Sequence, residues 1–204
     1  TRYGVITGRY CWRSRLKRGV LGGYSAPLIE KDRPTVGSVL QKSGYHTAAI
    51  GKWHLGMNMT RREGGKPGRD RWDGDGNVDF TKPIADSPIT RGFHEYFGVS
   101  ASLDMAPYVW IENDHFVKAK LVQQPAVKFP GYVRQGPRAA DLKFEEGLDV
   151  LAERAAGFFK RVAKQDNPFF LYLPLPGPHK PVTPHPRFQG KTGIGPYGDF
   201  VMNV

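Results

Sequence analysis

The feature that most constrains this chain's fold is a helix-then-strand order that occurs twice. Phe144, Leu148, Leu151, Ala155, Phe158 and Val162 recur at i, i+4, i+7 spacing, the period of a helix that buries one stripe. The spacing predicts a helix starting near Asp141, a suitable N-cap residue, with Glu145, Glu146, Glu153 and Lys160 on its outer face. Pro168 to Leu173 follows as a short unbroken apolar run. It predicts a central strand of a parallel sheet, covered on both faces. The same order stands earlier. Pro34 suits a first helical turn and predicts a helix from about Thr35 to Ser43. Val36, Val39 and Leu40 would form its apolar face, and Gly44 would end it. Tyr45 to Gly51, with its alanines and Ile50, then reads as a buried strand. Two such units predict an α/β fold with a mostly parallel sheet flanked by helices.

The remainder is rich in loops. Seventeen prolines and 25 glycines argue for long, well-defined connections rather than a helical bundle. Residues 1–9 form a short helical candidate, and 11–34 are irregular. Residues 57–92, rich in Gly, Asp, Arg and Pro, show no periodicity; such length inside a compact domain marks a functional loop or an insertion. Tyr108 to Glu112 and His115 to Leu121 predict a small hairpin around Asn113-Asp114, and 122–140 reads as another irregular excursion. A chain of 204 residues suffices for one good core. No internal repeat is visible, and no apolar run reaches the ~18 residues of a membrane span.

The formal net charge of +11 implies affinity for anions, a class that includes nucleic acid, acidic lipid and sulfated glycans. Cys11 is the one cysteine, which excludes an internal disulfide framework and a cysteine-rich zinc site. The opening Thr1-Arg2-Tyr3-Gly4 carries no basic-then-apolar signal region, which a processed chain would also lack.

The candidate chemistry lies at the strand exits. The strand ending near Gly51 delivers Lys52 and His54 into a loop, and the strand ending near Leu173 delivers His179 and Lys180. Ligands of open α/β sheets bind beyond the carboxyl ends of the strands. Two His-Lys pairs there suit an oxyanion site, while a lone histidine is commonly a structural partner; spacing alone leaves both readings open.

Four landmarks then carry a resemblance. Thr1-Arg2, four spacer residues and Thr7-Gly8-Arg9 resemble the second half of the sulfatase signature, Cys-x-Pro-Ser/Thr-Arg, four residues, Thr-Gly-Arg. Gly51-Lys52-Trp53-His54-Leu55-Gly56 is similar to the second sulfatase signature. Arg91-Gly92-Phe93 through Tyr96-Phe97-Gly98 resembles the family's Gly-Phe-Asp-x-x-Tyr-Gly segment, with His94 in place of the usual Asp. Pro168-Phe-Phe-Leu-Tyr-Leu followed by Pro178-His179-Lys180-Pro181 is similar to the family's strand and Pro-His-x-Pro turn. The landmarks stand in family order, and the most similar group is the bacterial arylsulfatase A-like hydrolases.

The resemblance implies an alkaline-phosphatase-like α/β fold, incomplete here. Residues 1–204 would be the central part of a catalytic domain truncated at both ends, with 57–140 a loop-rich substrate-side excursion. It implies a sulfuric ester hydrolase whose nucleophile is a formylglycine hydrate, made from a cysteine three residues before Thr1. One hydroxyl of the hydrate attacks sulfur and the second later expels sulfate. By position, Arg2 would support the formylglycine, Lys52 would contact nucleophile or sulfate, and His54 would bond the formylglycine hydroxyl and act in aldehyde regeneration. His179 would contact the sulfate or the bridging oxygen as general acid, and Ser102 would place a hydroxyl near the nucleophile. Lys180 is expected to face solvent. Ca²⁺ (or Mg²⁺) is implied with ligands outside this chain, an Asp pair upstream and an Asp-Asn pair downstream, and Asp199 is not one of them by position. A sulfated small molecule or glycan, a formylglycine-generating or equivalent maturation enzyme, and a periplasmic or secreted location complete the implication, with no nucleic acid and no membrane span.

Two lures are set aside. Cys11-Trp12-Arg13-Ser14-Arg15 places Arg13 where the signature requires proline and lacks a following Thr-Gly-Arg, so Cys11 reads as an ordinary small residue. Asp73-Gly-Asp75-Gly-Asn77-Val-Asp79 hints at a calcium loop, but Val78 replaces its glycine and Ile84 its glutamate; it reads as a solvated turn. Two other functions stay open: a phosphonate or phosphate monoester hydrolase on the same scaffold, and a module binding anionic polymers. The second rests on the clusters Arg13, Arg15, Lys17, Arg18 and Arg61, Arg62, Lys66, Arg69.

Overall fold

The computed structural model describes residues 1–63, 76–128 and 131–204. In chain order its elements are α1 (Arg2–Thr7), α2 (Val36–Lys42), β1 (His46–Lys52), β2 (Asn58–Met59), β3 (Ile84–Asp86), β4 (Glu95–Val99), β5 (Ile111–Glu112), β6 (His115–Phe116), β7 (Leu121–Gln124), β8 (Gly136–Ala139), α3 (Gly147–Val162), β9 (Phe169–Tyr172) and α4 (Pro196–Asn203). The main sheet has five strands in the order β6-β5-β4-β1-β9. β4 and β9 flank β1 in parallel, Gly98 beside Gly51 and Tyr172 beside Ala49. β5 and β6 add an antiparallel hairpin on the β4 side.

Alternation along β1 divides the core into two layers. Ala48 and Ile50 face α3, where Leu151, Ala155, Phe158 and Val162 are buried with Phe97. Ala49 faces the larger core of Tyr3, Ile6, Trp53, Phe93 and Tyr96. Leu151 and Phe158 are wholly buried, each worth about 1.5–3 kcal/mol of transfer from water. The α/β architecture with a mostly parallel sheet is therefore as the sequence predicts.

Several local expectations are corrected. α2 is opened by a capping box: Ser38 N–H donates to Thr35 Oγ1 at 3.0 Å, and Thr35 N–H donates to Ser38 Oγ at 2.9 Å. Its packing face is Gly37, where an added Cβ would meet the Gly92 carbonyl oxygen at 2.8 Å, while Val39 is exposed. Close backbone approach at Gly37, with Val36 alone of the expected stripe packed against the main core, docks this helix. Asp141 is no cap, because α3 begins only at Gly147 after a 3₁₀ turn at Phe144–Glu146. β9 pairs only with β1 among the described residues and leaves Phe169 exposed, so it is an edge strand here. β4 was not anticipated as a strand, and the excursions contain two ribbons, β2-β3 and β7-β8. Short ladders between distant segments leave no periodic trace. The hairpin around Asn113 is present but shorter than expected.

Candidate active site

Three backbone hydrogen bonds bring the strand exits together. Lys52 N–H donates to the Pro174 carbonyl at 2.8 Å, Trp53 N–H to Val99 at 3.1 Å and His54 N–H to Ser100 at 3.0 Å. The loops after β1, β4 and β9 thus meet at the carboxyl edge of the parallel strands. Trp53 is buried edge-on against Phe93 and Tyr96, and its indole N–H donates to Gly56 O at 3.1 Å. This fixes the bend that separates Lys52 from His54.

Lys52 is 4% exposed. Burial and, next, the Arg2 guanidinium push its ammonium down to about 8, and Asp104 opposes them. His54 sits at φ 55°, an uncommon conformation for a non-glycine residue. Its Nε2–H donates to Leu21 O at 2.7 Å. Burial and then the Lys52 charge push it down to about 4, so at neutral pH it is uncharged and its Nδ1 is an acceptor. Arg2 opens α1, and its buried Nε has no hydrogen-bond partner among the described residues. A cleft of about 200 Å³ opens beside Arg2 and His54, with Cys11, Leu16 and Val20 in its wall.

His179 comes from the turn after β9. Its Nδ1 lies 2.8 Å from the Lys180 carbonyl oxygen and 3.2 Å from Ser102 Oγ. A carbonyl only accepts, so Nδ1 carries a proton and Nε2 is the nitrogen that can exchange one. Ser102 is buried, on the loop leaving β4. Lys180 is half-buried, and its Nζ lies 3.6 Å from the centre of the Tyr132 ring, a cation–π contact.

Asp104, two residues after Ser102, was missed from the sequence. It is 1% exposed. Its Oδ2 accepts from Arg134 Nη1 at 2.5 Å, and its Oδ1 lies 3.8 Å from His179 Nδ1 without a hydrogen bond. Its charge also acts on Lys52 and His54. The sequence signal for it is a Ser-x-Asp spacing in the loop after β4, a strand that no periodicity marks. Lys52, His54, Ser102 and His179 are thus joined through backbone ladders, Asp104 and the Ser102–His179 contact, and Arg2 acts on Lys52 and His54.

His94, in place of the family's Asp, is a structural partner: its Nδ1 accepts from Thr47 N–H at 3.1 Å and its ring stacks on His46. Both Asp199 oxygens are occupied by Gly190 N–H, Thr192 N–H and the Thr192 hydroxyl. Among the described residues no three His, Cys, Asp or Glu side chains converge as a metal site requires. The described side chains do not supply a divalent cation's ligand set. Asp73 and Asp75 lie outside the described residues; Asp79 accepts from Thr81 in a turn, and Ile84 is buried in β3. Of the basic clusters, Arg15 and Lys17 donate to backbone carbonyls of Ala26 and Trp12, while Lys66 and Arg69 lie outside the described residues. No described helix is long and apolar enough to cross a membrane.

An α/β sheet whose parallel strands deliver a buried lysine and two histidines to one edge has the layout of an anion-binding α/β fold. The family model described as Sulfatase matches residues 2–199, and the chain belongs to the sulfatase family. It is 28% identical to the N-acetylgalactosamine-6-O-sulfatase of Bacteroides thetaiotaomicron over 100% of this chain and 43% of that protein. It is 29% identical to human arylsulfatase A over 100% of this chain and 36% of that protein. A solved chain described under the metabolism of multiple glycosaminoglycans by Bacteroides thetaiotaomicron superposes with a TM-score of 0.77 at 28% identity, covering 99% of this chain and 45% of its own. A Pseudoalteromonas sulfatase shares the fold at a TM-score of 0.61 and 19% identity, over 97% of this chain and 38% of its own. The chain spans less than half the length of these curated relatives.

Proposed function

We propose that the full-length protein is a sulfuric ester hydrolase acting on a sulfated glycan. The observation that carries this reading is the convergence of Lys52, His54, Ser102 and His179 at the carboxyl edge of β1, β4 and β9. A sulfate carries charge on its non-bridging oxygens throughout, and the bridging oxygen gains charge as the S–O bond breaks. Lys52, desolvated, meets the first need. His179 meets the second: Nδ1 is held by the Lys180 carbonyl, so Nε2–H gives its proton to the departing oxygen. Neutral His54, its Nε2–H fixed on Leu21, offers Nδ1 as an acceptor for a hydroxyl proton at the nucleophile. Arg2, which the resemblance of Thr1-Arg2 to the sulfatase signature would make its arginine, supplies a second positive charge beside Lys52. A formylglycine, installed by a maturation enzyme, supplies the attacking hydroxyl when present, and Ca²⁺ or Mg²⁺ would be held by residues outside this chain. Secretion or periplasmic export accords with that maturation and with a glycan substrate.

The glycan is supported by the names of two relatives, N-acetylgalactosamine-6-O-sulfatase and N-acetylgalactosamine-6-sulfatase. The test is turnover by the matured full-length protein of N-acetylgalactosamine 6-sulfate, 4-nitrophenyl sulfate, and a phosphate diester and a phosphonate ester of 4-nitrophenol. Preference for the sulfates supports the reading. Preference for a phosphorus ester would move the protein to the phosphonate or phosphate hydrolases. Binding of sulfated polymer without turnover would leave a binding module.

A further inference from the structure

We infer that Asp104 is the positioning residue of the general acid, one carboxylate oxygen anchored on Arg134 and the other reserved for His179. This rests on the proton-donor role proposed for His179. Three observations carry it. Asp104 is 1% exposed, yet only Oδ2 is used structurally, by Arg134 at 2.5 Å. Oδ1 is buried without a hydrogen bond among the described residues, an arrangement that costs stability and that a purely structural carboxylate would avoid. That oxygen lies 3.8 Å from His179 Nδ1, within ion-pair range and just beyond a hydrogen bond. Catalytic hydrogen bonds are often this long before substrate binds.

Charge balance explains why a carboxylate belongs here. The groups around the centre are cationic: Lys52 on β1, Arg2 on α1, Arg134 before β8 and Lys180 beside His179 itself. A histidine that must hold a second proton in that field needs a counter-charge. His54, also within reach of Asp104, stays neutral behind its Leu21 bond. Asp104 makes no favourable contact with a sulfate oxygen, since both are anionic, so it is no substrate ligand. During the reaction the proton passes from Nε2 to the bridging oxygen as the S–O bond breaks, and the bonding electrons stay on that oxygen. Nδ1–H remains in place, and Asp104 takes no proton. Arg134 comes from the 122–140 excursion, so this carboxylate ties that excursion to the acid, beside the Tyr132–Lys180 contact.

Leaving-group dependence tests the inference in the matured full-length enzyme. N-acetylgalactosamine 6-sulfate releases a primary alcohol that needs a proton, whereas 4-nitrophenyl sulfate releases a phenolate that does not. Asp104→Asn keeps an acceptor for Arg134 and is expected to lower kcat on the sugar sulfate about 10- to 100-fold, to change kcat on 4-nitrophenyl sulfate little, and to leave KM near the wild-type value. His179→Ala is expected to show the same selectivity more strongly. The double variant is expected to lose nothing further on the sugar sulfate. Equal loss on both substrates by Asp104→Asn, or a loss that adds to that of His179→Ala, overturns the role of Asp104. Absence of selectivity in His179→Ala instead removes His179 as proton donor, and the inference with it. Should the Asn variant fail to unfold cooperatively on heating, Asp104→Glu, which retains the charge on Arg134 but displaces Oδ1, decides by the same selectivity.

Discussion

Ser102 Oγ lies 3.2 Å from His179 Nδ1, although 77 residues separate them in the chain. This contact joins the loop after β4 to the turn after β9, across β1, which carries Lys52. Ser102→Ala removes one of two close partners of Nδ1 and leaves the Lys180 carbonyl. The expected result is a drop in kcat of about fivefold, the worth of one neutral hydrogen bond, with KM unchanged. Steady-state kinetics on a sugar sulfate would measure it, and an unaltered kcat would remove the contact from the mechanism.

His179 itself is half exposed, with 48% of its side chain open, so its removal creates no cavity. His179→Ala is expected to lower turnover of an unactivated sulfate ester by about 10²- to 10⁴-fold and to leave the thermal midpoint within a few degrees of wild type. A collapse of the midpoint would mean that the residue is structural, and unchanged turnover would remove it from the chemistry.

Lys52 is expected to set the alkaline limit of substrate capture. Its ammonium is held down to about 8, chiefly by burial and then by Arg2, so the free enzyme loses this charge above that pH. kcat/KM is then expected to fall about tenfold per pH unit above pH ~8, mainly through KM, because bound sulfate favours the charged lysine. Lys52→Met is expected to lower kcat/KM about 10- to 100-fold and to abolish this limb. A limb that persists in the Met variant assigns the titration to another group.

How much of this was legible in the sequence depends on range. Lys52, His54 and His179 could be placed because each follows a short apolar run that ends in a loop, a pattern contained within a dozen residues. Asp104 and Arg134 could not, because their pairing spans 30 residues of irregular chain and neither lies on a periodic element. β4 escaped because its identity as a strand comes from β1 beside it. Glycine is the fourth of its five residues, where propensity argues against a strand, and the reason is structural: a Cβ on Gly98 would lie 1.8 Å from Gly51 O. Asp141 misled as a cap because the chain from Gly136 to Ala139 is first held in the β7-β8 ribbon, which delays the helix to Gly147. Val39 misled because α2 docks through a glycine.

His54 sets an acid limit on stability. Its folded value is about 4 against 6.5 for an unperturbed histidine. Between these values the unfolded chain takes up a proton that the folded protein refuses, so stability falls as pH drops from about 6.5 to about 4 and this contribution is constant above. The full effect is at most about 3 kcal/mol. Chemical denaturation across pH 4–7 should therefore show a slope that flattens in His54→Gln. An identical slope in the variant would place the acid sensitivity elsewhere.

Gly98→Ala tests whether the site depends on the close approach of β4 to β1. The added methyl would meet the Gly51 carbonyl, which already accepts from the Tyr96 hydroxyl at 3.2 Å. The two nearest atoms are Gly51 backbone, and shifting the Tyr96 hydroxyl at 2.8 Å would not relieve them, so the strands must part next to Lys52. The expected cost is about 3 kcal/mol or more, read as a lowered thermal midpoint, together with lost kcat/KM in whatever protein stays folded. Gly44→Ala is the control. Gly44 has φ 84° but open space where a Cβ would go, so only conformational strain of about 1 kcal/mol is expected, and activity should be retained. If both variants lose the same stability and Gly98→Ala keeps its kcat/KM, the tight β1–β4 contact is not what holds Lys52 in place.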